Sequence, residues 1–131
     1  MKIAIEKIES MPNFRMIGGT TIDKITAAEN LLRVKFAIDY RAYLEKFGAA
    51  SFFGHEMTGI CDSKRLNVVD VTKEEREYNP DVPNNLYVVE QANIDGIVIW
   101  QSAKGEVYQS IPGHQIIKIA DSLVEYIDNF S

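Results

Sequence analysis

The sequence predicts one α+β domain over residues 1–131, in which a mostly antiparallel sheet is flanked by N-terminal and C-terminal helices. Two observations predict this class. Apolar residues recur with helical spacing in the first third of the chain and again at its end. Between them, short turn signals separate three runs of β-branched and aromatic residues. The 131 residues, of which 46% are hydrophobic, are sufficient for one hydrophobic core.

A short helix is expected first, and it is expected to end at Pro12, because proline disfavours helical backbone in the residue before it. Its apolar stripe contains Ala4, Ile5, Ile8 and Met11. Gly18 and Gly19 then form a turn, after which Thr20 or Thr21 caps a second helix. The predicted buried face of this second helix contains Ile25, Ala28, Leu31 and Leu32.

The third helix begins the segment on which the rest of the fold depends, IDYRAYLEKFGAASFFGHEMTGI at 38–60. Four large side chains recur at i, i+3, i+4 and i+7, namely Tyr40, Tyr43, Leu44 and Phe47. This face is expected to be buried. Asp39 suits the cap or first turn, and Gly48 is expected to end the helix.

A strand is expected from Phe52 to Ile60, bent at Gly54 and Gly59, where a side chain would obstruct a bulge or a close backbone approach. The run NVVDVT at 67–72 is interpreted as a strand edge or extended segment, since it is rich in β-branched residues.

A capping box formed by Thr72 and Glu75 then predicts one or two helical turns from Lys73 to Tyr78. Residues 79–85, which contain Asn and Pro, are predicted to form a loop.

The strongest strand pattern lies in the runs LYVVEQ, GIVIWQ and EVYQSI. Asp95-Gly96 and Lys104-Gly105 separate them, and such pairs supply the positive φ that tight hairpins require. An antiparallel meander is therefore predicted, with Trp100 in its core. Asp121 or Ser122 caps a last helix, whose apolar face contains Leu123, Val124, Ile127 and Phe130.

Composition limits the function classes. The formal net charge of −5, from 14 basic and 19 acidic residues, disfavours direct binding of nucleic acid, which normally requires a basic surface. Cys61 is the only cysteine, so no internal disulfide is expected. The sequence has neither a signal-peptide pattern nor an apolar run of membrane-spanning length, which predicts a cytoplasmic protein without a membrane segment.

No catalytic, cofactor or metal signature is apparent. His55 and Cys61 would share a face of a regular strand beside Asp62, and a base–nucleophile pair is the enzymatic alternative. A buried thiol and a packing histidine are far more common than such a pair. Adding His114 gives no zinc-ligand spacing. A non-enzymatic protein without cofactor or metal is therefore predicted.

The segment DYRAYLEKFGAASFFGHEMTGI resembles the signature of the SUKH superfamily, especially its Smi/Knr-type branch. VVDVTKEEREYNP, LYVVEQANIDGIVIW and IADSLVEYIDNF resemble the family's middle segment, its strand–turn–strand unit and its last helix, in the same order. The resemblance implies an α+β fold and a binding module rather than a catalyst. Many bacterial members of this superfamily are thought to be immunity proteins.

The expectation that follows is a protein that binds and neutralises a cognate toxin domain, of nuclease or deaminase type, with a basic surface. A regulatory or scaffold protein of the same superfamily is the alternative. Charge and expected exposure single out the candidate partner-binding residues Glu56, Glu74, Glu75, Glu77, Asp81, Glu90 and Asp95. An acidic run such as 74–81 is more often only a solvated helix face.

Overall fold

The computed structural model describes residues 2–130, with side chains from Ala4 onward. Over this range, five helices and seven strands confirm the predicted α+β class. The helices are α1 (Lys2–Ser10), α2 (Ile22–Leu32), α3 (Ile38–Phe47), α4 (Val68–Tyr78) and α5 (Leu123–Asp128). The strands are β1 (Arg15–Met16), β2 (Ala50–Phe52), β3 (His55–Glu56), β4 (Tyr87–Gln91), β5 (Val98–Gln101), β6 (Val107–Ser110) and β7 (Ile117–Ala120).

The strands form two antiparallel sheets. The first has the order β1-β2-β3 and the second the order β4-β5-β6-β7. A bridge between Met57 and Glu90 joins them, and the amide of Thr58 donates to the carbonyl of Val89 at 2.9 Å. The predicted meander is confirmed, and β7 extends it by one strand that the sequence analysis did not predict. No helix within 2–130 has both the length and the apolar character that a membrane span requires.

The predicted hairpin turn at Asp95-Gly96 has positive φ at both residues, 54° and 71°. An aspartate tolerates this left-handed conformation better than most side chains, and glycine adopts it without strain. Adjacent strands can therefore reverse direction over a short connection.

The third helix is buried as predicted, since Tyr40, Tyr43, Leu44 and Phe47 are all fully inaccessible to solvent. It ends at Gly48, whose φ is 71° and whose amide donates to the carbonyl of Leu44 at 2.9 Å. A Cβ at Gly48 would lie 2.1 Å from the carbonyl oxygen of Gly18, so the two chain segments meet backbone to backbone.

The N-terminal helices also follow the predicted caps. The α1 helix ends two residues before Pro12, and the Thr21 side chain accepts from the amide of Lys24 at 3.3 Å at the start of α2. The expectation that Leu31 is buried is wrong, because Leu31 is 60% exposed. It lies about 100° around the helix from Leu32, outside the stripe that contacts the core.

The extended segment predicted at 67–72 is wrong, because α4 begins at Val68. The side chain of Asn67 accepts from the amides of Val69 and Asp70, and it caps the helix in place of the predicted Thr72 capping box. Val68, Val71 and Thr72 form the buried face at helical spacing. Burial of this face outweighs the weak strand preference of its β-branched residues.

The single strand predicted from Phe52 to Ile60 is a hairpin of β2 and β3 instead. The turn lies at Phe53 and Gly54, which have φ of 51° and 80°. The close backbone approach predicted at Gly59 is confirmed, because a Cβ there would lie 1.8 Å from the carbonyl oxygen of Gly48.

The four-stranded sheet is covered on two faces. On the closed face, its side chains join a large core with α1, α2, α3 and α5. On the open face, a smaller cluster forms beneath α4 and the loop that follows it. The closed-face residues of the sheet are Tyr87, Val89, Ile99, Val107 and Ala120. The open-face cluster contains Val71, Val82, Leu86, Val88, Val98 and Trp100.

Trp100 is fully buried in the open-face cluster, as predicted for a core residue. Its indole N–H donates to Oγ of Ser110 at 2.9 Å, so the polar atom of this large side chain is satisfied inside the cluster.

Candidate functional site

The open face is incompletely covered at the C-terminal end of α4. Two cavities lie there, with volumes of about 730 Å³ and about 460 Å³. Tyr78, Asn79 and Pro112 line both cavities, so the two adjoin and form one depression, which we call the α4 groove. The larger cavity is also lined by Asp81, Val82, Ile111, His114 and Ile116, and the smaller one by Glu75, Gln91, Asn93, Gly96, Ile97 and Val98.

Tyr78 is the most exposed large hydrophobic side chain of the groove. It is the last residue of α4 and is 73% exposed, because it continues the Val71 side of the helix beyond the end of the open-face cluster. Large rings in concave surfaces are the usual anchors of protein interfaces. The position of Tyr78 between two cavities gives a partner a ring to contact and a recess on each side.

Several carboxylates surround Tyr78. Glu75 lies in the wall of the smaller cavity and Asp81 in that of the larger one. Glu74 and Glu77 are exposed on the same helix. The groove therefore combines an apolar interior with an acidic edge, a combination suited to a basic protein surface.

Sequence comparison identifies the family of the chain. A family model of the SUKH group, described as SMI1-KNR4 cell-wall, matches residues 1–130. The chain belongs to this SUKH family. Its resemblance to the Smi/Knr-type branch is thereby confirmed, and a general role in protein binding follows at the level of the family. No curated protein matches the chain.

Two further candidate residues of the SUKH chain lie beside the smaller cavity. Asp95 is exposed in the β4–β5 turn, directly before Gly96 in the cavity wall. Glu56 lines a very small recess together with Gln91 and Asn93, which also line the smaller cavity. Partner contact by these residues stays a prediction.

Glu56 is already paired within the chain. Its carboxylate accepts from both terminal nitrogens of Arg65, at 2.8 and 3.0 Å. These hydrogen bonds lower the pKa of Glu56 below its usual range. Arg65 therefore compensates much of the negative charge at this end of the groove.

Glu90 lies elsewhere, and the exposure assumed for it is wrong, since it is only 4% exposed. Its carboxylate accepts from the hydroxyl of Tyr126 and binds Nδ1 of His55 at 2.7 Å. The His55 ring stacks on Phe130 with the centroids 3.6 Å apart. Glu90 thus connects β4 to β3 and α5 inside the SUKH fold.

His55 and Cys61 have different partners. His55 binds Glu90, whereas Cys61 donates from Sγ to the carbonyl of Ser63 at 3.6 Å. Burial raises the pKa of Cys61, which disfavours the thiolate that a nucleophile needs. Within the described part of the chain, no three His, Cys, Asp or Glu side chains are grouped to hold a metal ion.

Sequence reasoning missed Tyr78 and the amides of Asn79 and Gln91 as site residues. The YNPDVP run contained a usable signal, because it places a tyrosine, a residue enriched at interface hot spots, beside a loop, where binding residues are concentrated. Gln91 and Pro112 gave no such signal. They join the groove only through the sheet register and the loop after β6.

Proposed function

We propose that this SUKH-family chain is a bacterial immunity protein of a polymorphic toxin system. It binds a cognate toxin domain, of nuclease or deaminase type, in the cytoplasm of the producing cell and neutralises it. Family membership supports a protein-binding role, and the α4 groove supplies a surface suited to it.

The observation that carries this proposal is the exposure of Tyr78 in the groove. A ring that is 73% exposed at the junction of two recesses contributes little to folding. Enclosed by a partner, the same ring would bury much of its apolar area and exclude water around it. Tyr78 is therefore the central contact of the proposed complex.

The carboxylates determine the choice of partner. Toxins that act on nucleic acids present a basic surface to the phosphate backbone. Complementary charge accelerates encounter and disfavours wrong partners, whereas the buried centre of the interface determines the dissociation rate. In this arrangement the toxin's active site is covered sterically and no reaction is catalysed. The proposed acidic contacts are Glu56, Glu74, Glu75, Glu77, Asp81 and Asp95, with Glu90 acting inside the fold.

The test begins with the polypeptides encoded beside the gene. The purified chain is used to capture them, and each captured protein is expressed in cells with and without the chain. We expect one-to-one capture and rescue of growth. Tyr78→Ala is expected to weaken binding at least about tenfold, as typical for an aromatic anchor. Ile38→Ala is the matched control, because Ile38 is 69% exposed but does not line the groove.

Two outcomes would contradict the proposal. Absence of capture and rescue with every neighbouring polypeptide would favour the regulatory or scaffold role instead. If Tyr78→Ala binds the toxin and rescues growth as well as the wild type does, the immunity function is supported, but the α4 groove is excluded as the toxin-binding surface.

A further inference from the structure

The smaller cavity of the α4 groove contains a carboxylate that no cation of the described chain neutralises. Glu75 accepts from Nδ2 of Asn79 at 3.2 Å and from Nε2 of Gln91 at 2.5 Å. Both donors are neutral amides, and none of the ion pairs among residues 4–130 includes Glu75. The carboxylate is thus held in place while its charge stays uncompensated.

The two cations nearest in sequence are directed elsewhere. Arg76 donates to the carbonyl oxygens of Leu32, Asn84 and Leu86, so its guanidinium is engaged beneath the helix. Lys73 precedes Glu75 by two positions, and residues at this spacing do not face each other on a helix. Glu75 therefore presents a fixed negative charge to whatever enters the cavity.

The remaining walls are apolar or aromatic. Tyr78 and Pro112 form one part of the wall, and Ile97 and Val98 of the sheet form another. The cavity volume of about 460 Å³ is sufficient for one long side chain. An apolar recess with a single fixed carboxylate suits a ligand that has an apolar stem and a cationic head.

We propose that this cavity receives an arginine side chain of the protein partner, whose guanidinium pairs with Glu75 and stacks on the ring of Tyr78. Arginine fits better than lysine, because a planar guanidinium binds a carboxylate with two N–H groups and stacks on aromatic faces. The amides of Asn79 and Gln91 donate their N–H groups to Glu75, which leaves their oxygens to accept the other guanidinium N–H groups.

The proposal deepens the proposed function, on which the identity of the partner rests, but the cavity is testable without a toxin. The probe is N-acetyl-arginine amide, titrated into the full chain and followed by amide chemical shifts. We expect saturable shifts at Gln91, Asn93, Gly96 and Ile97, with a dissociation constant on the order of millimolar for such a small ligand. N-acetyl-citrulline amide, the uncharged analogue of the same shape, is expected to bind at least about tenfold more weakly.

Two variants test the wall residues. Glu75→Gln removes the charge, retains one acceptor oxygen and is expected to weaken the arginine probe at least about tenfold. Glu45→Gln is the matched control, since it makes the same change at an exposed glutamate of α3 that lines neither cavity of the groove. Tyr78→Leu changes an exposed side chain without endangering the fold and is expected to weaken the probe several-fold by removing the stacking ring.

Equal binding of the arginine and citrulline probes, no binding of either, or equal affinity in Glu75→Gln and Glu45→Gln would overturn the inference. Its failure is distinguishable from failure of the proposed function. If Glu75→Gln captures and neutralises a toxin as well as the wild type does, the immunity function is supported and the arginine contact is excluded. If the probe binds in a Glu75-dependent way but the chain captures no toxin, the arginine site is supported and the immunity function is not.

Discussion

The two faces of the β4–β7 sheet are buried in different ways. The closed face packs into a core that contains the fully buried rings of Tyr40, Tyr43 and Phe47. The open face carries a smaller cluster around Trp100, and its cover ends at Tyr78 with two cavities beside it. One sheet thus supports both a closely packed interior and an accessible recess.

The two faces also differ in how their polar groups are satisfied. On the closed face, buried hydroxyls are used internally: Tyr87 donates to Gln101 at 2.7 Å and accepts from the amide of Ala37 at 2.8 Å. On the open face, the carboxylate of Glu75 is held by amides, and no cation among residues 4–130 pairs with it. Satisfied polar groups fix a unique core, whereas an uncompensated charge in a recess is available to a ligand.

The largest expected effect comes from truncating the closed face. Phe47→Ala removes a fully buried ring that contacts Phe14 and Tyr43 edge to face. We expect the free energy of unfolding to fall by about 3–5 kcal/mol, measured by urea denaturation. Tyr78→Ala on the open face is the counterpart, with an expected change below about 0.5 kcal/mol. Similar losses of stability in both variants would contradict the view that the closed face stabilises the fold while the open face is available for binding.

A smaller loss is expected at the junction of three elements on the closed face. The buried carboxylate of Asp39 accepts from Nε2 of Gln101 and from the amide of Leu123, both at 3.0 Å. Asp39→Ala leaves the amide of Leu123 and one N–H of Gln101 buried without their acceptor, while the other N–H of Gln101 still donates to Gly105, and the expected cost is about 2–3 kcal/mol in urea denaturation. Asp23→Ala is the control, because Asp23 also lies in the first turn of a helix but is exposed. Equal effects would reduce the role of Asp39 to a helix-dipole contribution.

The closed face also predicts a loss of stability at high pH. Burial is the main cause that raises the pKa of Tyr40, Tyr43, Tyr87 and Tyr126 above the ordinary value for tyrosine. In the unfolded chain these phenols release their protons near pH 10, while the folded chain retains them. The unfolded state then binds fewer protons, so stability is complete below about pH 10 and falls as the pH rises above it.

Tyr126→Phe tests this dependence on one ring. A buried tyrosine contributes up to about 1.4 kcal/mol per pH unit once the unfolded phenol is fully ionised, so between pH 9 and pH 11 the variant should lose about 1.4 kcal/mol less stability than the wild type. The measurement is a series of urea denaturations between pH 9 and pH 11, a range chosen around the ordinary tyrosine pKa of about 10. Tyr78→Phe makes the same change at an exposed ring of the open face and is the matched control. An unchanged slope in Tyr126→Phe would mean that this phenol ionises freely in the folded state.

The closed face could largely be predicted from sequence, because local signals agree with its final structure. The i, i+3, i+4, i+7 stripe of α3 and the glycine that ends it each specify one conformation. The open face could not. Its covering helix α4 is rich in β-branched residues at its start, and its identity as a helix depends on the Asn67 cap and on burial against the sheet.

The site was predictable in composition but not in placement. Charge singled out Glu75 and Glu90 equally, yet one lies in the groove and the other inside the fold. The cause is an irregularity in β4 between Val88 and Glu90, which places Glu90 opposite Ile99 on the closed face and Gln91 opposite Val98 on the open one. A bulge changes the face to which each later residue points, and no residue type in this strand indicates where the bulge lies.

The smallest effect on stability, and the sharpest test of the open face, is expected from Arg65→Ala. The Arg65–Glu56 pair is exposed, and such pairs change the free energy of unfolding little, if at all. Loss of Arg65 removes the hydrogen bonds that lower the pKa of Glu56, but an ordinary glutamate is still ionised at neutral pH. The edge of the groove therefore becomes more negative while the fold is unchanged. A basic partner should associate a few-fold faster in stopped-flow measurements, and the gain should disappear at high salt. Glu56→Gln in the same background should abolish the gain, whereas slower association in Arg65→Ala would mean that Arg65 itself contacts the partner.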